Sequence, residues 1–125
     1  MSILLALALQ TMPAAGADFQ TRVKQAKLAE GAATGPAYQK KMWDRIGNAT
    51  TDAYKACLAS NTPADKSPFT LVANVGADGR LSDIAVQPAT PVANCMAGQF
   101  ASWVLPAPPA MPAPYPVEID FSIKE

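Results

Sequence analysis

The chain has 125 residues, enough for one domain with one core. Half of them are apolar and 16% are charged, which excludes an intrinsically disordered chain. Ten basic residues balance ten acidic ones, so no net field steers the protein toward nucleic acid or an anionic membrane.

The first seventeen residues carry no charge. Ile3 to Leu9 is an apolar run, and Ala15-Gly16-Ala17 is an A-x-A site just before Asp18. This is the pattern of a secretory signal peptide, cleaved before Asp18, and it predicts a periplasmic protein. The run is shorter than the ~20 residues a bilayer span needs, so no transmembrane anchor is expected after cleavage. The segment departs from the pattern in having no Lys or Arg ahead of the apolar run. The alternative is a buried helix of a cytosolic protein.

From Asp18 to Glu30 a short helix is expected, with Phe19, Val23 and Ala26 on one face. Gly31 to Pro36 breaks it. A longer helix follows from about Ala37 to Ser60. Tyr38, Met42, Ile46, Ala49, Ala53 and Cys57 recur at three- and four-residue steps, and Trp43, Tyr54 and Leu58 widen the stripe. Arg22, Lys24 and Lys27, and Lys40, Lys41 and Arg45, alternate with apolar positions and read as solvated helix faces.

Phe69, Leu71, Ala73 and Val75 alternate with Thr70, Val72 and Asn74. Gly76-Ala77-Asp78-Gly79 follows, then a second alternating run from Leu81 to Gln87. Two such runs around an Asp-Gly turn predict a β-hairpin. Thr90-Pro91 is an N-cap followed by proline, and a helix to Trp103 is expected, with Val92, Met96, Phe100 and Trp103 on its apolar stripe. Leu105 to Pro116 holds six prolines and reads as a stiff crossover. Val117, Ile119, Phe121 and Ile123 then alternate with Glu118, Asp120, Ser122 and Lys124 as a last strand.

The expected architecture is α+β. A three-stranded antiparallel sheet in order 2-1-3 is covered by helices on one face, the other face being wet. Residues 1–17 are the leader, 18–36 an N-terminal helix and linker, and 37–125 the sheet domain.

The two cysteines, Cys57 and Cys95, are an even count in a chain read as exported, which favours a disulfide. The alternative is two buried free thiols. No metal site or cofactor is expected, since histidine is absent and the cysteines have no C-x-x-C spacing. Without histidine the usual Ser-His-Asp and Cys-His sites are excluded, and no catalytic residue is assigned. Glu118 and Asp120 share a strand face at a spacing that could suit paired acids, but a wet strand face predicts the same residues. Trp43 and Trp103 read as core.

Residues Phe69 to Ile123 resemble the C-terminal domain of TonB. The resemblance rests on the strand ending in V-x-x-D-G-R (Val75 to Arg80), the second strand, the helix ending at Trp103 before prolines, and the final alternating strand. A closer likeness is the TonB-like domain of gliding-motility envelope proteins of the AgmX type. The residues that carry it are Cys57 near the end of one helix, Cys95 early in the next, and W-x-x-P-x-P from Trp103 to Pro108. The resemblance implies a transport- or motility-related binding or adaptor module that takes a protein or peptide partner by strand addition at the last strand. Glu118, Asp120 and Ser122 would then be its partner-reading residues. The competing reading is a periplasmic inhibitor or immunity-type protein acting on an envelope enzyme.

Overall fold

The computed structural model describes residues 15–123. The expected leader lies outside the described residues, apart from Ala15 to Ala17, which open the first helix. Three helices and three strands follow in the order α1 (Ala15–Gly31), α2 (Gly35–Ser60), β1 (Phe69–Val75), β2 (Leu81–Gln87), α3 (Pro91–Phe100) and β3 (Tyr115–Phe121). The sheet order is β2-β1-β3, antiparallel throughout, as the sequence predicts.

Helix α1 carries Asp18 in its first turn, where a carboxylate complements the helix dipole. Its buried residues Phe19, Ala26 and Ala29 form one stripe. The chain then turns sharply into α2, with the Gly35 N–H donating to Ala32 C=O at 2.9 Å. A Cβ at Gly35 would sit 2.1 Å from the Glu30 carbonyl oxygen, so only glycine permits this approach. Helix α2 buries Tyr38, Met42, Ile46, Thr50, Ala53 and Cys57 at steps of three and four. Thr50 returns its hydroxyl to Ile46 C=O at 2.7 Å, which satisfies that polar group within the helix. Trp43, expected in the core, is 39% exposed. It sits one position past Met42, and the turn of the helix carries it to the shoulder of the stripe.

The β1–β2 hairpin closes on Gly79, whose φ of 88° belongs to the left-handed region. The register slips once. Val72 pairs with Ala85 and Asn74 with Ser82, so Asp83 and Ile84 together oppose Ala73. The extra residue is a β-bulge, and Asp83 takes φ 52° there. Thr90 caps α3 as expected, accepting the Ala93 N–H at 3.1 Å. Helix α3 ends at Phe100 rather than Trp103, because Ser102 and Trp103 donate to Gln99 and Phe100 three residues back and tighten the last turn. The Trp103 ring still packs on Phe100, with centroids 4.6 Å apart.

The proline-rich connection is tied down at its start. The Leu105 N–H donates to Gly79 C=O at 2.9 Å, and the Tyr38 hydroxyl donates to Pro106 C=O at 2.9 Å. Strand β3 begins at Tyr115, two residues before the expected start, and includes Pro116.

Phe69, Leu71, Ala73 and Val75 share one sheet face with Phe121, Ile119, Val117 and Tyr115, their partners on β3. That face meets α2 and α3 in the main core, where Phe69 and Phe121 stack at 4.7 Å and Tyr54 and Phe100 close on Phe121 edge-on. The opposite face is not wet as expected. Helix α1 packs there, chiefly on β3, and helps bury Val72 and Glu118. Thus α1 and α2 cover opposite faces, and the tight turn between them passes round the outer side of β3. Tyr115 marks the place. Its ring meets Tyr38 of α2 at 5.1 Å, and its hydroxyl donates to Ala29 C=O of α1 at 3.4 Å.

Candidate functional site

The candidate cysteines are joined. Cys57, in the last turns of α2, and Cys95, in α3, form a disulfide with their Cα atoms 5.8 Å apart. Both helices cover the same face of the sheet, and this brings the two positions together.

The candidate recognition residues lie on β3, the edge strand opposite β2. Which of its backbone groups face outward follows from the hairpin. The Gly76 N–H donates to Arg80 C=O at 2.9 Å, so the residues of its parity in β1, Thr70, Val72 and Asn74, direct their backbone groups toward β2. Phe69, Leu71, Ala73 and Val75 therefore face β3 and exchange bonds with Phe121, Ile119, Val117 and Tyr115. The partners of the other set, Pro116, Glu118 and Asp120, turn their backbone groups away from β1. Pro116 agrees with this assignment, since it has no N–H and sits where the sheet asks for none. The free side of β3 thus offers N–H and C=O from Glu118 and Asp120, and C=O from Pro116.

Topology makes this edge free, but α1 covers most of it. Tyr115 to Ile119 are all buried as whole residues, whereas Asp120 and Ser122 are exposed. The expectation that Glu118 presents its side chain to a partner is corrected here. Glu118 is only 8% exposed, because α1 lies over the face from which it projects. Its Oε1 accepts from Lys27 Nζ at 3.3 Å, while its Oε2 has no hydrogen-bond partner among the described residues. Asp120 accepts the Thr70 hydroxyl at 2.6 Å across the strand pair. Ser122 lies one residue beyond the strand.

Four charged groups meet where α1 crosses β3: Lys27 and Glu30 from the helix, Glu118 and Asp120 from the strand. Burial pushes the Glu118 carboxyl up from its ordinary value, against the pull of the Lys27 hydrogen bond, and Asp120 adds to the rise. Glu30 is raised by burial and then by Glu118. Lys27 is raised by its bond to Glu118. One lysine, itself largely exposed, therefore answers several carboxylates. Among the described residues, no cluster of three or more His, Cys, Asp or Glu side chains is placed to hold a metal ion.

At the other end of α1, Arg22 donates to the backbone carbonyl of Asp83, the bulged residue of β2, and the Asp83 carboxylate accepts from Asn74 Nδ2 at 3.2 Å. A broad groove of about 770 Å³ runs along α1 here, walled by Arg22, Leu28, Asn74, Asp83, Pro114 and Pro116. Sequence reasoning missed this whole α1 layer. Its signal was Val72, an apolar residue on a strand face otherwise made of Thr70, Asn74, Glu118 and Asp120.

Compared with known protein families, with curated proteins and with solved structures, the chain finds no match. Among the described residues no helix is long and apolar enough to cross a membrane.

Proposed function

We propose that the protein is an exported, non-catalytic binding or adaptor module of the cell envelope, with a TonB-like domain that takes an extended peptide or protein segment along β3. The observation that carries this reading is the outward-facing backbone of Glu118 and Asp120, a ready set of donors and acceptors for one more strand. Asp120 and Ser122, at the open end, are where an incoming strand first pairs. Main-chain pairing supplies affinity, and the exposed Asp120 and Ser122 side chains bias the choice of partner. Export is supported by the leader-like sequence and by the Cys57–Cys95 disulfide, since such bonds persist in oxidising compartments. The strand order, the disulfide and the proline-rich crossover are the features that support reading the domain as TonB-like.

Two proline substitutions test it. Asp120→Pro removes an outward N–H and the exposed side-chain bond to Thr70 but leaves the backbone pairing with β1 intact, so folding is kept while envelope partners are no longer captured. Ile119→Pro removes an inward N–H bonded to Leu71 and destabilises the domain by roughly 3 kcal/mol, the scale of proline in a paired position. Undiminished capture by a folded Asp120→Pro chain would show that β3 is not the recognition edge.

A further inference from the structure

The β3 edge that the proposed function needs is the edge that α1 closes. Resting on that reading, we infer that α1 is a removable cover: the chain alternates between a closed form, with α1 seated on β3, and an open form in which a partner strand takes its place.

Three features of the contact carry the inference. First, α1 holds on by little. Of its described residues only Phe19, Ala26 and Ala29 are buried, two of them alanines, while Leu28 is 75% exposed. Helix α2, by contrast, buries Tyr38, Met42 and Ile46 and is fastened to α3 by the disulfide. The disulfide leaves α1 outside its loop. Second, seating α1 carries a penalty at its centre. It buries the Glu118 carboxylate with Oε2 unpartnered, and Lys27, the α1 cation that reaches it, bonds only Oε1. A buried charge with half its acceptors unmet favours any state that rehydrates it. That cost exists only while α1 is seated, so release of the helix relieves it. Third, the joint suits a swing. α1 and α2 are joined by a three-residue turn, residues 32–34, just ahead of Gly35, and α1 makes its main contacts with β3 rather than with the rest of the core.

The two forms make α1 and the partner mutually exclusive. Affinity for a strand then scales with the fraction of open chains, so a change that opens α1 tightens strand binding by the same factor. This separates α1 from an ordinary stabilising helix, whose loss weakens function along with the fold.

The test uses the full chain and two substitutions on α1. Ala26→Asp places a carboxylate at a fully buried contact, and Leu28→Asp places one at an exposed position of the same helix. The probe is a fluorescein-labelled synthetic peptide with the sequence of residues 68–76, the segment β3 already accepts on its other side. In the native chain, amide hydrogen exchange of Val23 to Ala29 and of Glu118 is expected to be at least about tenfold faster than that of Leu71, through an opening that leaves β1 folded. Ala26→Asp speeds the exchange of α1 and Glu118 by a further tenfold or more, leaves Leu71 unchanged, and tightens peptide binding by a matching factor. Leu28→Asp does neither. Exchange of α1 as slow as that of Leu71 overturns the inference, because the helix then opens only when the whole domain unfolds. Equal peptide affinity in the native and Ala26→Asp chains also overturns it, because α1 then does not limit access. If the peptide binds neither chain, or binds Asp120→Pro as well as the native one, strand addition at β3 fails first and takes the cover role with it, whatever the exchange rates.

Discussion

Breaking the Cys57–Cys95 bond is expected to cost a large share of the domain's stability, and the size can be worked from the chain. The bond closes a loop with a sequence separation of 38 residues. Chain-entropy bookkeeping, −2.1 − 1.5R ln n, gives about 13 cal/mol/K for that loop, or about 4 kcal/mol at 25 °C. With unfolding entropy near 2.1 cal/mol/K per residue over roughly 110 ordered residues, that corresponds to a fall in Tm on the order of 15 °C. The perturbation is Cys57→Ser with Cys95→Ser, or reduction of the native chain. The assay is thermal unfolding followed by circular dichroism. Since Cys57 is 1% exposed, removing its sulfur also leaves a small void, so the double variant falls slightly further than the reduced chain. A drop below about 5 °C would refute the loop-closure account, and two titratable thiols in denatured, unreduced protein would refute the bond itself.

Gly79→Ala is expected to destabilise by at least about 2 kcal/mol, since a Cβ there would lie 1.9 Å from the Leu105 carbonyl oxygen and φ is 88°; urea unfolding midpoints measure it. Alkaline pH should weaken the fold through its tyrosines. Burial raises Tyr54 and Tyr115, and burial with the neighbouring Tyr115 pushes Tyr38 up to about 12. The folded state holds these protons more tightly than the unfolded chain, so their stabilisation is full below the ordinary tyrosine range near pH 10 and falls as pH rises from there to about 12; denaturant midpoints across that window follow it, and a flat profile contradicts it. The carboxyls at the contact between α1 and β3 act with the same sign. Glu118 and Glu30 are raised in the seated form, so mild acid holds α1 down, and rising pH through their folded-state range frees it; exchange of α1 amides that slows as pH rises, after correction for intrinsic rates, would contradict that sign.

What could be read from the sequence divides by physical type. Both hairpin strands were legible to the residue, because period-two alternation and the Asp-Gly turn are local signals. The disulfide was legible from the cysteine count and export grammar, and the Thr90 cap from its spacing. The start of β3 was obscured by Pro116, which reads as a strand breaker until the sheet shows that its missing N–H faces outward. The bulge at Asp83 has no local mark, since nothing in Ser82-Asp83-Ile84 announces an added residue. The position of α1 was the largest miss. Alternation tells which residues share a strand face but not what lies over it, and a stripe of Phe19, Val23 and Ala26 fits either face of the sheet. Glu118 was misplaced for the same reason, as a glutamate between valine and isoleucine looks solvated until a helix is set over it.

The two edges of the sheet also decide how this chain behaves among copies of itself. β2 is broken by the Asp83 bulge and closed by Pro88, so it makes a poor template for another strand. β3 is long, regular and shielded only by α1. While that helix is seated, β3 of one copy is shielded from β3 of another. Once it lifts, β3 of one copy can meet β3 of another across a two-fold axis, each strand supplying the same outward Glu118 and Asp120 groups. The helix inferred to cover recognition is then also the chain's guard against self-pairing, and any lesion that unseats it, by substitution or by proteolytic nicking within residues 18–31, shifts the chain toward a closed dimer before it shows a cost in folding.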